Sequence, residues 1–136
     1  MPGDTKEITL TWQAGLRFTG GAPNGPQTSI DGDNATAPGP MLTLLLAAAS
    51  CTGSDVVVIL EKMRVQLREF RIETRGVRRE QEPRRYTAIH LDYHVRGEDL
   101  DELKVRRAID LSLDKYCSVI HSLSPDIAIT YAVSLA

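Results

Sequence analysis

Alternating apolar residues near both ends of the chain, one long apolar run in its first half and two long alternating segments after it predict an α+β fold. At 136 residues the chain has the length of one domain. A domain of that size buries about two-thirds of the surface its unfolded chain exposes. One core suffices, and a single domain is expected over residues 1–136.

The first element is an alternating segment with Ile8, Leu10 and Trp12 on one face and Thr9 and Thr11 on the other, the period of a half-buried strand. Leu16 to Thr19 reads as a second strand, Gly20-Gly21-Ala22-Pro23-Asn24-Gly25-Pro26 as a turn, and Gln27 to Asp31 as the returning strand. Together they make a β-meander over about 6–31. The stretch from Asp31 to Pro40 is a loop by composition, and Pro40 suits the first turn of a helix.

That helix is expected over about 41–65 and is apolar nearly all round. At ~1.5 Å per residue it is roughly 37 Å long, comparable to the diameter of a globule with a radius of gyration of about 14 Å. Such a helix needs cover on several sides. Either it kinks at Thr52-Gly53, with Asp55 capping the second half, or a second subunit supplies the cover. A homodimer is the favoured reading.

A β-hairpin follows over about 67–96, its strands joined by Glu80-Gln81-Glu82-Pro83. Ile89, Leu91, Tyr93 and Val95 face one way, and Ala88, His90, Asp92 and His94 the other. A second helix is expected over about 99–117, opening at Gly97-Glu98-Asp99, with Val105, Ala108, Ile109, Ser112 and Tyr116 at helical spacing. Cys117 lies at its end. Ser118 to Ser124 is a short further turn stopped by Pro125, and the last strand covers about 126–135.

Charged residues make up 25% and the net charge is -2, so no basic stripe points to nucleic acid or an anionic membrane. Residues 1–7 include acidic side chains and no apolar segment of the kind a secretory signal needs. The longest apolar run, Met41 to Ala49, falls short of the ~20 residues that cross a bilayer. A cytoplasmic location is expected. There, two cysteines are rarely a structural disulfide.

Cys51 ends the apolar run beside Ala49, Ser50 and Gly53, small neighbours that leave access to sulfur. A thiol attacks peroxides only as thiolate, which calls for a nearby cation. None is close in sequence; Arg17, between Leu16 and Phe18, is the best-placed candidate, against the ordinary alternative that a strand arginine points to solvent. A sulfenic acid on Cys51 could be captured by Cys117, the other thiol of the chain, although two buried cysteines are also common as small core residues. Asp55, one turn beyond Cys51, would oppose thiolate formation. His90 and His94 are ~13 Å apart on one strand, and His121 approaches Cys117 without completing a metal site. No metal, phosphate loop or cofactor is implied.

The segments from Pro40-Met41 through Ala47-Ala48-Ala49-Ser50-Cys51, then Asp55-Val56-Val57 and Ile59-Leu60, with Lys115-Tyr116-Cys117-Ser118-Val119 downstream, resemble the OsmC/Ohr family of osmotically inducible and organic hydroperoxide resistance proteins. The resemblance covers essentially the whole chain. It implies antiparallel sheets wrapped around two central helices in an intertwined homodimer, with each active site at the dimer interface. It also implies a thiol peroxidase that reduces organic hydroperoxides, Cys51 attacking and Cys117 resolving, with a dithiol or lipoyl-type protein as reductant. Hydroperoxide-reducing members carry a glutamate after the helix-starting proline that holds an arginine against the thiolate; here Met41 and Leu42 stand there, leaving Arg17 without that carboxylate. The branch lacking the glutamate has no settled function, so the competing expectation is a non-catalytic small-molecule-binding or stress-associated dimer with a cysteine pocket.

Overall fold

The computed structural model describes residues 3–136, so the first two residues of the domain expected over 1–136 lie outside the described residues. The chain divides into two compact units, Met1–Leu44 and Leu45–Ala136. The first holds the meander: β1 (Thr9–Ala14), β2 (Arg17–Gly21) and β3 (Gln27–Asp31), antiparallel in that order. Gly15 turns the chain between β1 and β2 at φ 57°, a backbone conformation open to glycine at little steric cost, and its carbonyl accepts from Trp12 Nε1 at 2.9 Å. Ile8 and Trp12 are 69% and 64% exposed, so the face expected to be half-buried is not covered by the meander itself.

Asp31 ends β3 and organises the loop after it. Its carboxylate accepts from the amides of Asp33 (2.9 Å), Ala35 (3.2 Å) and Thr36 (2.9 Å) and from the Thr36 hydroxyl (2.9 Å). These donors, led by the Thr36 amide, hold its carboxyl at about 2. Asn34 Oδ1 takes the Gly39 amide at 2.6 Å, and Thr43 donates through both its amide and its hydroxyl to the Gly39 carbonyl. The loop therefore fixes where the central helix, α1 (Pro40–Lys62), begins.

α1 continues unbroken through Thr52 and Gly53. The kink that the sequence allows does not form: a single glycine costs a helix only about 1 kcal/mol, and a Cβ at Gly53 would press on Ile72. Leu45, Ala48, Thr52, Val56 and Leu60 are buried at intervals of three and four residues, one stripe of the helix. Leu42, Leu46 and Val58 remain exposed. The apolar content is thus larger than the chain itself covers. At 23 residues, with an 18-residue stretch of mean hydropathy 1.8, α1 is also long and apolar enough by those measures to cross a membrane, a length the unbroken run to Ala49 does not reveal.

The second unit adds a hairpin of two 13-residue strands, β4 (Gln66–Arg78) and β5 (Tyr86–Glu98), in antiparallel register from Gln66 opposite Glu98 to Arg78 opposite Tyr86. Tyr86, Ile89, Leu91, Tyr93 and Val95 are buried and form the core face read from the alternation. β5 runs on to Glu98, so the next helix does not open at residue 97. Instead α2 (Glu102–Leu111) starts after Asp101, whose side chain accepts from the Lys104 amide.

From Ser112 to Tyr116 the helix widens to π geometry, and α3 (Ser118–Ser122) follows after Cys117. Tyr116, expected on the buried face, is 51% exposed because the wider turn shifts the helical phase after Ser112. The last strand, β6 (Ala128–Leu135), pairs with β5 in parallel. The antiparallel pairing expected of the sheets holds for β1–β2–β3 and β4–β5. β6 runs parallel because the helices between it and β5 form a crossover.

Candidate functional site

Cys51 sits in the middle of α1 and is half-buried, whereas Cys117 is fully buried at the junction between the π turn and α3. Both thiols are free, and Cys51 is among the groups that bear on the Cys117 thiol. The π turn is what delivers Cys117: its amide donates to the Ser112 carbonyl at 2.7 Å, closing the wide turn, after which the backbone becomes extended at Cys117. π turns are frequent at functional sites because they re-aim one side chain without ending the helix.

Burial above all pushes the Cys117 thiol up to about 11. The Ile120 backbone amide pulls the other way, while contact with Cys51 and the charge of Asp55 add to the rise. Cys117 thus holds its proton at neutral pH. The two thiols are chemically unequal.

Beneath them lies a row of hydroxyls that alternation alone did not single out. Thr52 Oγ1 is 2.9 Å from Tyr93 Oη and 2.8 Å from Ser112 Oγ, and Ser112 Oγ donates to Asp55 Oδ2 at 2.8 Å. Ser112 has one proton, and a carboxylate can only accept; with that proton on Asp55, Thr52 donates to Ser112 and accepts from Tyr93. Thr52, Ser112 and Tyr93 are each fully buried. Tyr93 is stacked against Phe70 at 6.4 Å and meets Tyr131 edge-on at 5.9 Å, and burial pushes its phenol up to about 12. The sequence did carry a signal: Thr52 and Ser112 fall on buried helical stripes, where a hydroxyl must find a partner.

The other expectations resolve individually. Asp55 caps no broken helix; its carboxylate is taken by Ser112. His121 does not turn to Cys117, because its Nε2 bonds the Leu113 carbonyl at 2.9 Å. His90 is engaged by Thr130 and Asp92, and His94 by Glu73. Among the described residues no group of side chains is arranged to hold a metal ion. Arg17 opens β2 in the first unit and is exposed.

A groove of about 550 Å³ runs along the outer side of α1, lined by Leu46, Ala49, Ser50, Gly53, Ser54, Val57 and Val58 and floored by Phe70, Arg71 and Ile72 of β4. Cys51 is not among the residues that line it.

Two thiols from separate helical elements, set over a hairpin extended by a parallel strand, define a small α+β protein with a paired-thiol site. The model of the OsmC-like protein family matches residues 31–132, and the chain belongs to that family. It is 41% identical over 127 residues to protein YhfA of Escherichia coli strain K12, covering 93% of this chain and 95% of YhfA. Its fold matches the crystal structure of an OsmC-like protein from Mycoplasma pneumoniae with a TM-score of 0.83 at 17% identity, over 98% of each chain. It also matches the organic hydroperoxide resistance protein OhrB of Bacillus subtilis with a TM-score of 0.64 at 14% identity, over 96% of this chain and 98% of that one. At those identities the two structures speak to the fold alone.

Proposed function

We propose that the protein is a cytoplasmic thiol peroxidase that reduces organic hydroperoxides. The observation carrying this reading is the unequal thiol pair, a half-exposed Cys51 in contact with a buried Cys117 that keeps its proton. Cys51 thiolate attacks the peroxide; an S–O bond forms, the O–O bond breaks, and the leaving alkoxide takes a proton from water to depart as the alcohol. Cys51 becomes a sulfenic acid. Cys117 sulfur then attacks Cys51 sulfur, the S–S bond forms, the S–O bond breaks, and the Cys117 proton leaves with the hydroxide as water. An external dithiol, a lipoyl-type group among them, returns the disulfide to two thiols by exchange.

The site works in a homodimer. Exposed Ile8, Trp12, Leu42 and Leu46, together with the groove along α1, are apolar surface that a second copy would cover. Arg17 supplies the positive charge that favours thiolate on Cys51. Without a carboxylate at Met41 or Leu42 to hold it, its effect is modest: Arg17→Ala slows Cys51 alkylation near neutral pH by a small factor, and superimposable alkylation rates would make it an ordinary surface residue.

The test is hydroperoxide consumption with a dithiol present. Cys51→Ser abolishes it, and Cys117→Ser stops turnover with the sulfenic acid on Cys51 open to trapping reagents. If the wild type consumes none of several organic hydroperoxides, the reading becomes the non-catalytic one, in which the groove beside α1 holds a small apolar molecule.

A further inference from the structure

The hairpin of β4 and β5 closes in a concentration of positive charge. Residues 78–85 hold four arginines against two glutamates, in a chain whose net charge is -2, so the remaining residues are more negative still. Backbone pairing brings the arginines together: the Arg79 amide donates to the Arg85 carbonyl at 3.0 Å, and Arg78 Nε donates to the Arg84 carbonyl at 2.7 Å. Like charges set across a strand pair repel, and the fold holds these arginines against that cost. Arg85 has a carboxylate partner, Asp126 at 2.7 Å. Arg78 and Arg79 bond neutral oxygens instead, the Arg84 carbonyl and Gln81 Oε1. Glu80 and Glu82, in the turn itself, form no ion pair among the described residues. The turn therefore does not neutralise its own arginines.

We propose that the tip of this hairpin is a docking surface for a second, different protein that presents a cluster of carboxylates, with Arg78, Arg79 and Arg84 as its contacts. A guanidinium suits a carboxylate because its planar fork donates two parallel hydrogen bonds. The chain is exposed throughout from Glu80 to Arg84, and Arg78 is exposed beside it. Small-molecule sites are concave, and neither the groove beside α1 nor the smaller cavity at Glu69, Arg71 and Arg96 includes a residue of the tip. An exposed turn of this kind meets another surface. A nucleic acid or an anionic membrane spreads its charge beyond the three arginines, onto Glu80, Glu82 and the net negative remainder of the chain. A discrete carboxylate cluster avoids that repulsion. The chain's own acidic stretch, at the opposite end of the hairpin, is already engaged: Glu98 by Arg68, Asp101 by the Lys104 amide and Glu102 by Arg106. A second copy therefore offers the tip no free carboxylate cluster there.

This surface stands apart from the thiol chemistry, and its test needs no peroxidase activity. The probe is a fluorescein-labelled poly-glutamate peptide, followed by fluorescence anisotropy at low ionic strength. Wild type binds it, and added salt weakens binding because exposed charges are screened. Replacing the three contacts together, Arg78→Gln, Arg79→Gln and Arg84→Gln, weakens binding by about tenfold or more. Arg→Lys at the same three positions keeps the charge and loses the fork, so its affinity falls between the two. A control triple, Lys62→Gln, Arg64→Gln and Arg107→Gln, removes as much charge from exposed positions elsewhere and binds like wild type. Equal losses in the two glutamine triples would reduce the effect to net charge and overturn the proposal, as would a wild type that does not bind the peptide. A single-stranded oligonucleotide or phosphatidylserine vesicle that binds more tightly than the peptide at the same salt, through the same three arginines, overturns the assignment to a protein. Sedimentation of the tip triple matches wild type; a changed oligomeric state would make the tip a contact between copies and overturn it too.

Discussion

The two cysteines occupy opposite kinds of site, and the difference comes from the elements that carry them. Cys51 lies mid-helix on α1, half-buried, with Ala49, Ser50 and Gly53 as small sequence neighbours. Cys117 lies where a π turn ends, wholly buried, its amide and sulfur both held by neighbours. A regular helix leaves a side chain where the 3.6-residue period puts it. A π turn moves one side chain out of phase, and here it brings the second thiol against the first. Reactivity thus follows access at one end of the pair and proton retention at the other.

Breaking the hydroxyl row is the most severe way to disturb that comparison. Ser112→Ala strands both Thr52 and Asp55, and Thr52→Val strands Tyr93. Each costs about 1–3 kcal/mol of stability, because buried polar groups lose their partners. Chemical denaturation of the purified variants reads this directly, and wild-type midpoints in both would mean the row is idle.

Alkali sharpens the comparison. Folding raises Cys117 from its ordinary value of 9.0 to about 11 and Tyr93 from 10.0 to about 12, so both bind protons more tightly folded than unfolded. Their contribution is fully present below the ordinary values and is lost as pH rises through the folded ones. Stability therefore falls from about pH 9 upward. Cys117→Ala flattens the first part of that fall, which thermal melts at stepped pH would register.

The smallest effect belongs to the first unit, far from either sulfur in sequence. Asp31 has the opposite sign: its carboxyl is held at about 2, below its ordinary 3.8. Its stabilisation is complete above the ordinary value and disappears as pH falls toward 2. Asp31→Asn should be less stable than wild type at neutral pH, with the gap closing over that acid range. A gap independent of pH would show that shape, not charge, organises the loop.

Alternation made β5 legible residue by residue, since Ile89, Leu91, Tyr93 and Val95 are all buried as their period requires. The same rule places Ile8 and Trp12 on a half-buried face, yet both are exposed, because periodicity reports which residues share a face and not what packs on it. Helical spacing predicts a second helix continuous to Cys117, and no local pattern marks the π turn that ends it. Both thiols were legible as a pair from spacing and resemblance. Ser112, which bonds Asp55 and closes the turn before Cys117, was not, since helical spacing marks it only as a position on a buried stripe.

The most direct measurement is a disulfide map after the reduced wild-type protein is treated with a bulky organic hydroperoxide. Digestion without reductant followed by mass spectrometry should recover one peptide pair joined between Cys51 and Cys117 within a single chain, with Cys51→Ser and Cys117→Ser giving none. Two intact thiols after exposure to several hydroperoxides, or cysteine oxidised to sulfinic acid with no Cys51 to Cys117 bond, would contradict the account.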